Sequence, residues 1–134
     1  MPNIITIEGI GEVYAGKLRE AGLKSTEALL EAGNTPQGRK EVAERTGLTG
    51  KQILEWVNRA DLYRIKGVAE EYSDLLEVAG VDTVPELAQR NPENLFEKLK
   101  AVNEEKKAVR RLPTQRQVAD WVEQAKNLPR IVSY

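Results

Sequence analysis

The chain repeats itself. Ile7-Glu8-Gly9-Ile10-Gly11-Glu12-Val13-Tyr14-Ala15 is answered by Ile65-Lys66-Gly67-Val68-Ala69-Glu70-Glu71-Tyr72-Ser73, and the echo runs on through Leu18/Leu76, Ala21/Ala79, Gly22/Gly80, Ser25/Thr83 and Leu29/Leu87. A second pair of segments follows the same logic: TGKQILEWVNRA from Thr49 to Ala60 matches TQRQVADWVEQA from Thr114 to Ala125, with Trp56 over Trp121 and Gln52 over Gln117. Internal self-similarity of this period constrains the fold before any local signal does, because each copy must form the same supersecondary unit. The chain is therefore read as one domain, 1–134, made of two repeats at 7–64 and 65–128.

Helix punctuation fills in each copy. Glu12 to Ala21 is a helix whose apolar positions Val13, Tyr14, Leu18 and Ala21 follow a 3.6-residue period, with Gly22 as its left-handed stop. Ser25 caps a short helix to about Ala32, closed by Gly33, and Thr35-Pro36 opens another to about Thr46. Thr49-x-x-Gln52 is a capping box that leads into a buried stripe of Ile53, Trp56, Val57 and Ala60. The second copy runs Glu70 to Ala79 with Gly80 as its stop, then a capping box at Thr83-x-x-Glu86. A longer helix from Asn91-Pro92 through roughly Val109 follows, and a last one is capped by Thr114-x-x-Gln117 with Val118, Trp121, Val122 and Ala125 inward. The expected fold is all-α, about eight helices, as two pseudo-symmetric helix-hairpin-helix-like repeats packed as one globule. Only Asn3 to Ile7 and Arg130 to Tyr134 carry any strand character.

Composition excludes more than it selects. Cysteine and histidine are both absent, which removes disulfides, thiolate and imidazole metal sites, and every catalytic arrangement built on histidine. Ser25 is explained by capping, the carboxylates scatter among lysines and arginines, and no Walker loop or dinucleotide fingerprint occurs. The expectation is a protein that is not an enzyme, with no cofactor and no metal. No signal-peptide pattern or membrane-length apolar run is present, so a soluble cytoplasmic protein with no membrane partner is expected.

The formal net charge of −1 conceals a polar distribution. Residues 68–97 carry eight acidic side chains and one basic, whereas 98–116 carry seven basic (Lys98, Lys100, Lys106, Lys107, Arg110, Arg111, Arg116) and two acidic. Such a basic stretch is either a solvated helix face or a surface for phosphate or an acidic partner.

The pattern apolar-x-Gly-apolar-Gly-x-x-x-Ala at Ile7 to Ala15 resembles the helix-hairpin-helix DNA-binding motif. Glycines at a turn that feeds a helix let backbone N–H groups approach a phosphate unobstructed, and the helix dipole favours the anion. Ile10 would pack inward and hold the hairpin closed. Contacts of this kind position a protein on duplex DNA without reading its bases. The resemblance implies binding by Gly9, Ile10, Gly11, Glu12, Val13 and Lys17 in the first copy. In the second it implies Lys66, Gly67, Val68 and Ala69, with Lys106, Lys107, Arg110 and Arg111 supplying charge. Ala69 stands where the first copy has its second glycine, and Glu8 and Glu12 put like charge where the phosphate should sit.

Three longer segments extend the resemblance: IEGIGEVYAGKLREAGL, EWVNRADLYRIKGV, and NPENLFEKLKAVNEEKKAVRRLPTQRQVADWVEQAKNLPR. Together they are similar to an uncharacterised bacterial family, domain of unknown function 4332. That likeness implies a helix-hairpin-helix-like fold and association with nucleic acid. The alternative reading is a protein–protein interaction or scaffold module for an unknown protein, with no DNA bound. Tyr14, Tyr72, Trp56 and Trp121 are read as core anchors rather than base-stacking groups.

A hairpin needs a helix before it, and the first copy has only six residues upstream. The expectation is that the last helix, Thr114 to Asn127, packs beside the first hairpin and closes the chain on itself as a monomer. The alternative is a helix-swapped dimer in which a neighbour supplies it.

Overall fold

In a computed structural model the structure describes residues 3–7, 9–68 and 70–134. A single 3-10 turn at Ile4–Thr6 precedes eight helices: α1 Glu12–Glu20, α2 Thr26–Gly33, α3 Pro36–Thr46, α4 Gly50–Leu62, α5 Glu70–Val78, α6 Val84–Ala88, α7 Pro92–Lys106 and α8 Gln115–Asn127. The fold is all-α. The residues with strand character form none: Asn3 makes an isolated bridge to Ser25, and Ile131–Tyr134 is irregular.

The caps are local and chemical. Ser25, Thr35, Thr83, Asn91 and Thr114 each accept a hydrogen bond from the backbone N–H three residues on. Thr49 does the same for Gln52, whose side chain returns to the Thr49 N–H at 3.1 Å, closing the box. Thr114 and Gln117 close an identical one. The box expected at Thr83 is left half-made, because Glu86 turns to Arg90 at 3.3 Å. After α1 and α5 the chain reverses through the same pair of bonds: Gly22 N–H to Arg19 O and Leu23 N–H to Leu18 O, Gly80 N–H to Glu77 O and Val81 N–H to Leu76 O.

The helices fall into two compact units. One runs to Asp61 and takes in Ile131–Tyr134; the other is Leu62–Arg130. Trp56 lies in the buried interior of the first with Ile4, Leu18, Leu29, Ile53 and Val57. Trp121 lies in the core of the second with Leu62, Leu75, Leu76, Leu87, Leu95 and Leu99. Burying side chains of this size contributes about 1.5–3 kcal/mol each, which is what holds short helices that would be marginal alone.

Three local expectations are corrected. The helix opened by Pro92 ends at Lys106 rather than near Val109. Lys107 takes a left-handed conformation (φ 53°), and the Asn103 amide bonds both the N–H and the carbonyl of Val109, at 3.0 and 3.2 Å. Gly33 is the last residue of α2 and a packing glycine, since a β-carbon there would stand 2.5 Å from Cγ2 of Val57 on α4. Val13 does not join the buried stripe of α1; it is 71% exposed, and Ala15 and Leu18 carry the burial.

Candidate nucleic-acid interface

Each glycine turn is built from three apolar residues and one tryptophan. In the first unit Ile7 N–H bonds Ile4 O at 3.2 Å and Ile10 N–H bonds Ile7 O at 3.0 Å. In the second, Ile65 N–H bonds Leu62 O and Val68 N–H bonds Ile65 O, both at 3.1 Å. Ile7, Ile10, Ile65 and Val68 are all buried, which fixes the turn from below. Gly9 and Gly67 are exposed at its crest with φ of +91° and +94°, a region an L side chain rarely enters.

Beneath each crest lies an indole. A β-carbon on Gly9 would stand 3.6 Å from Nε1 of Trp56, and one on Gly67 would stand 3.0 Å from Nε1 of Trp121. The tyrosine of the following helix packs on the same ring: Tyr14 on Trp56 at 5.4 Å between centroids, Tyr72 on Trp121 at 5.2 Å, tilted by 50° and 49°. Both aromatic pairs are therefore structural, with the geometry of favourable tilted contacts.

This arrangement corrects the expected closure of the chain. The last helix, α8, carries Trp121 to Gly67 and Tyr72, so it serves the second hairpin. The first hairpin is served by α4, through Trp56. Each tryptophan helix backs the glycine turn of its own unit, one following its turn in sequence by nearly the full length of the unit, and no exchange of α8 is needed.

Gly11 differs from Gly9. It is the N-cap of α1 at φ −90° and ψ −173°, extended backbone open to any residue, and no atom lies within 4 Å of where its β-carbon would stand. The close turn thus depends on the first glycine of the pair. Gly11 leaves α1 without a side-chain cap, in contrast to the capped starts of α2, α3, α4, α6, α7 and α8. The first-turn amides at Glu12 and Val13 have no Gly11 side chain in front of them, while the Glu12, Val13 and Lys17 side chains are exposed.

The profile of the family described as Domain of unknown function (DUF4332) matches residues 8–128. The chain belongs to this family. No curated protein and no solved structure matches it.

In this family member the second turn has a support that the sequence reading did not identify. The Lys66 N–H donates to Oε1 of Gln124 at 2.8 Å, and Nε2 of Gln124 donates to the Lys66 carbonyl at 3.0 Å. One amide side chain on α8 thereby grips both polar groups of the residue before the crest, leaving the Lys66 side chain exposed. The available signal was positional: a long polar side chain stands three residues after each tryptophan, Arg59 and Gln124.

The basic residues do not share one helix. Lys106 ends α7, whereas Lys107, Arg110 and Arg111 stand in the loop to α8, all exposed. Tyr72 ties that loop to α5 by donating its hydroxyl to the Arg111 carbonyl at 3.3 Å. A continuous line of contacts thus runs from Gly67 to Trp121, Tyr72 and Arg111. Lys66, Gly67 and Val68 are brought into one construction with Arg111, while Gly9 to Lys17 form a separate one. Ala69 lies outside the described residues. Among the described residues, no helix is long and apolar enough to cross a membrane.

Proposed function

We propose that this chain is a non-catalytic helix-hairpin-helix module that holds the phosphate backbone of double-stranded DNA without reading its sequence. The observation that carries the proposal is the rigid glycine crest, backed by a tryptophan, that feeds α1 at a residue with no side-chain cap and open space in front of it. Amides presented this way suit an anionic oxygen, and the helix dipole adds to the attraction. The second turn contributes differently: the exposed Lys66 and the Arg110–Arg111 loop bring positive charge to its glycine crest. Steering by these cations compensates for the low net charge of the whole.

Fluorescence anisotropy with a labelled duplex at low salt tests the proposal. Binding should weaken with a log–log salt slope of about −0.9 per phosphate contacted, and two unrelated duplex sequences should bind alike. Gly11→Glu, which meets no neighbouring atom, should abolish the first contact while leaving the fold intact. Absence of binding at about 100 μM protein, or binding indifferent to Gly11→Glu and to Lys66→Glu, overturns the reading.

A second reading is favoured by Val13. An exposed apolar side chain beside Glu12 at the hairpin suits a protein partner better than a phosphate. A module of this kind would bind its protein partner after nuclease treatment and lose that partner on Val13→Glu.

A further inference from the structure

The segment Ile131–Tyr134 follows the second unit in sequence and belongs to the first in space. Val132 is buried there at 3% exposure. Ser133 N–H donates to the Asn34 carbonyl at 2.8 Å, and the Tyr134 hydroxyl donates to or accepts from Asn58 at Oδ1, 2.8 Å away. Arg39, itself only 7% exposed, donates Nη1 to Gly33 O at 2.9 Å and Nη2 to Ser133 O at 2.8 Å, and its guanidinium lies 5.8 Å from the centre of the Tyr134 ring.

Two properties of this strap matter. Its hydrogen bonds run to residues 76 to 99 positions away, so nothing in the groove requires that the strap come from the same chain. The groove is also expensive to leave empty. Without Ser133 O and the Tyr134 ring, a largely buried guanidinium loses a hydrogen bond and its aromatic cover. A vacated groove is therefore disfavoured, whereas a groove filled by an identical strap from elsewhere keeps every bond.

The linking residues permit that exchange. Leu128 leaves α8 in an extended conformation (φ −88°, ψ 135°), Pro129 and Arg130 are exposed, and Arg64 Nη2 pins the Pro129 carbonyl at 2.7 Å. The strap thus departs from a fixed point through a short irregular stretch, the arrangement from which an element is exchanged between copies at little cost in contacts.

We propose that the groove formed by Gly33, Asn34, Arg39 and Asn58 is an interaction surface for a second copy of this chain, filled in the dimer by the neighbour's Ile131–Tyr134. The exchanged dimer and the closed monomer contain the same strap contacts, so concentration decides between them. The exchanged element is the strap, and α8 stays with its own hairpin.

Because the chain has no cysteine, cross-linking can report the exchange without background. Asn34→Cys and Ser133→Cys place thiols on residues whose backbones are already hydrogen-bonded. The double variant in one chain should cross-link within itself, which establishes that the geometry closes. The two single variants, mixed at high concentration and warmed below the unfolding transition before oxidation, should then give a covalent 34–133 dimer whose yield rises with concentration. Should the double variant fail to close, sedimentation of an Arg39→Glu and Val132→Asp mixture asks the same question, since only a strap donor and a groove donor together can pair. A mixture that stays monomeric in the working assay overturns the proposal.

Discussion

The indole nitrogen of Trp121 lies beneath Gly67, 3.0 Å from where a β-carbon on that residue would stand. The first unit repeats the relationship more loosely, with Trp56 at 3.6 Å from the corresponding position on Gly9. Both glycines also have positive φ, so the two turns share a conformational requirement and differ in steric clearance.

That difference predicts unequal responses to one substitution. Gly9→Ala should destabilise the first unit by about 1–2 kcal/mol, the strain of placing an L residue in left-handed backbone. Gly67→Ala should cost more, about 2–4 kcal/mol, because Trp121 must also shift within a packed core. Amide hydrogen exchange, read separately over each unit, measures both. Equal losses at the two sites would mean that the indole contact has no energetic weight.

Gly11 should behave in the opposite sense. Gly11→Ser supplies the missing cap to α1 and should stabilise the first unit by a few tenths of a kcal/mol, about the measured gap between glycine and serine caps. If the α1 amides hold a phosphate, the same change fills the space in front of them and satisfies one internally, so affinity for duplex DNA should fall. Thermal denaturation and anisotropy on one preparation give both quantities. Unchanged affinity would remove the first turn from the proposed interface.

Gln124→Ala should loosen the second turn alone. Two hydrogen bonds to Lys66 are lost at a surface position, a loss of about 1–2 kcal/mol at most. Exchange of the Lys66 and Val68 amides should quicken, while the first unit, whose turn rests on Trp56, should be unaffected. Gln124→Glu keeps the acceptor for the Lys66 N–H but loses the donor, and it faces Asp120, so it should rescue little.

Gly33→Ala should destabilise the first unit by about 1–3 kcal/mol, since its new methyl overlaps Val57. Val57→Ala on its own should also cost stability by opening a cavity. The double variant should recover part of the loss, giving a coupling of about 1 kcal/mol in a double-mutant cycle followed by urea denaturation. Additive losses would show that α2 and α4 separate instead of repacking.

Helix starts and stops were legible because their chemistry is local. Thr49 with Gln52, Thr114 with Gln117, and the reversals at Gly22 and Gly80 depend on residues within five positions of one another. The buried stripes of α4 and α8 were legible for the same reason: Ile53, Trp56, Val57 and Ala60, like Val118, Trp121, Val122 and Ala125, share a face by spacing alone. Gly33 misled, since a glycine near a helix end is read as a stop, and its packing role depends on Val57, 24 positions away. The early end of α7 was equally hidden, because Asn103 stops it with a side-chain grip on Val109 that periodicity does not encode.

The repeated segments by themselves determined that the chain would be helical, where most helices would begin, and that Trp56 and Trp121 would take corresponding buried positions. Those features follow from backbone capping and from the helical period, which act over one or two turns. Only tertiary packing decided that each tryptophan supports the glycine crest of its own unit, that Gln124 grips Lys66, and that Ile131–Tyr134 returns to Arg39. Each of these joins residues 39 or more positions apart, and such a pairing is fixed by which buried surfaces meet once the helices have formed.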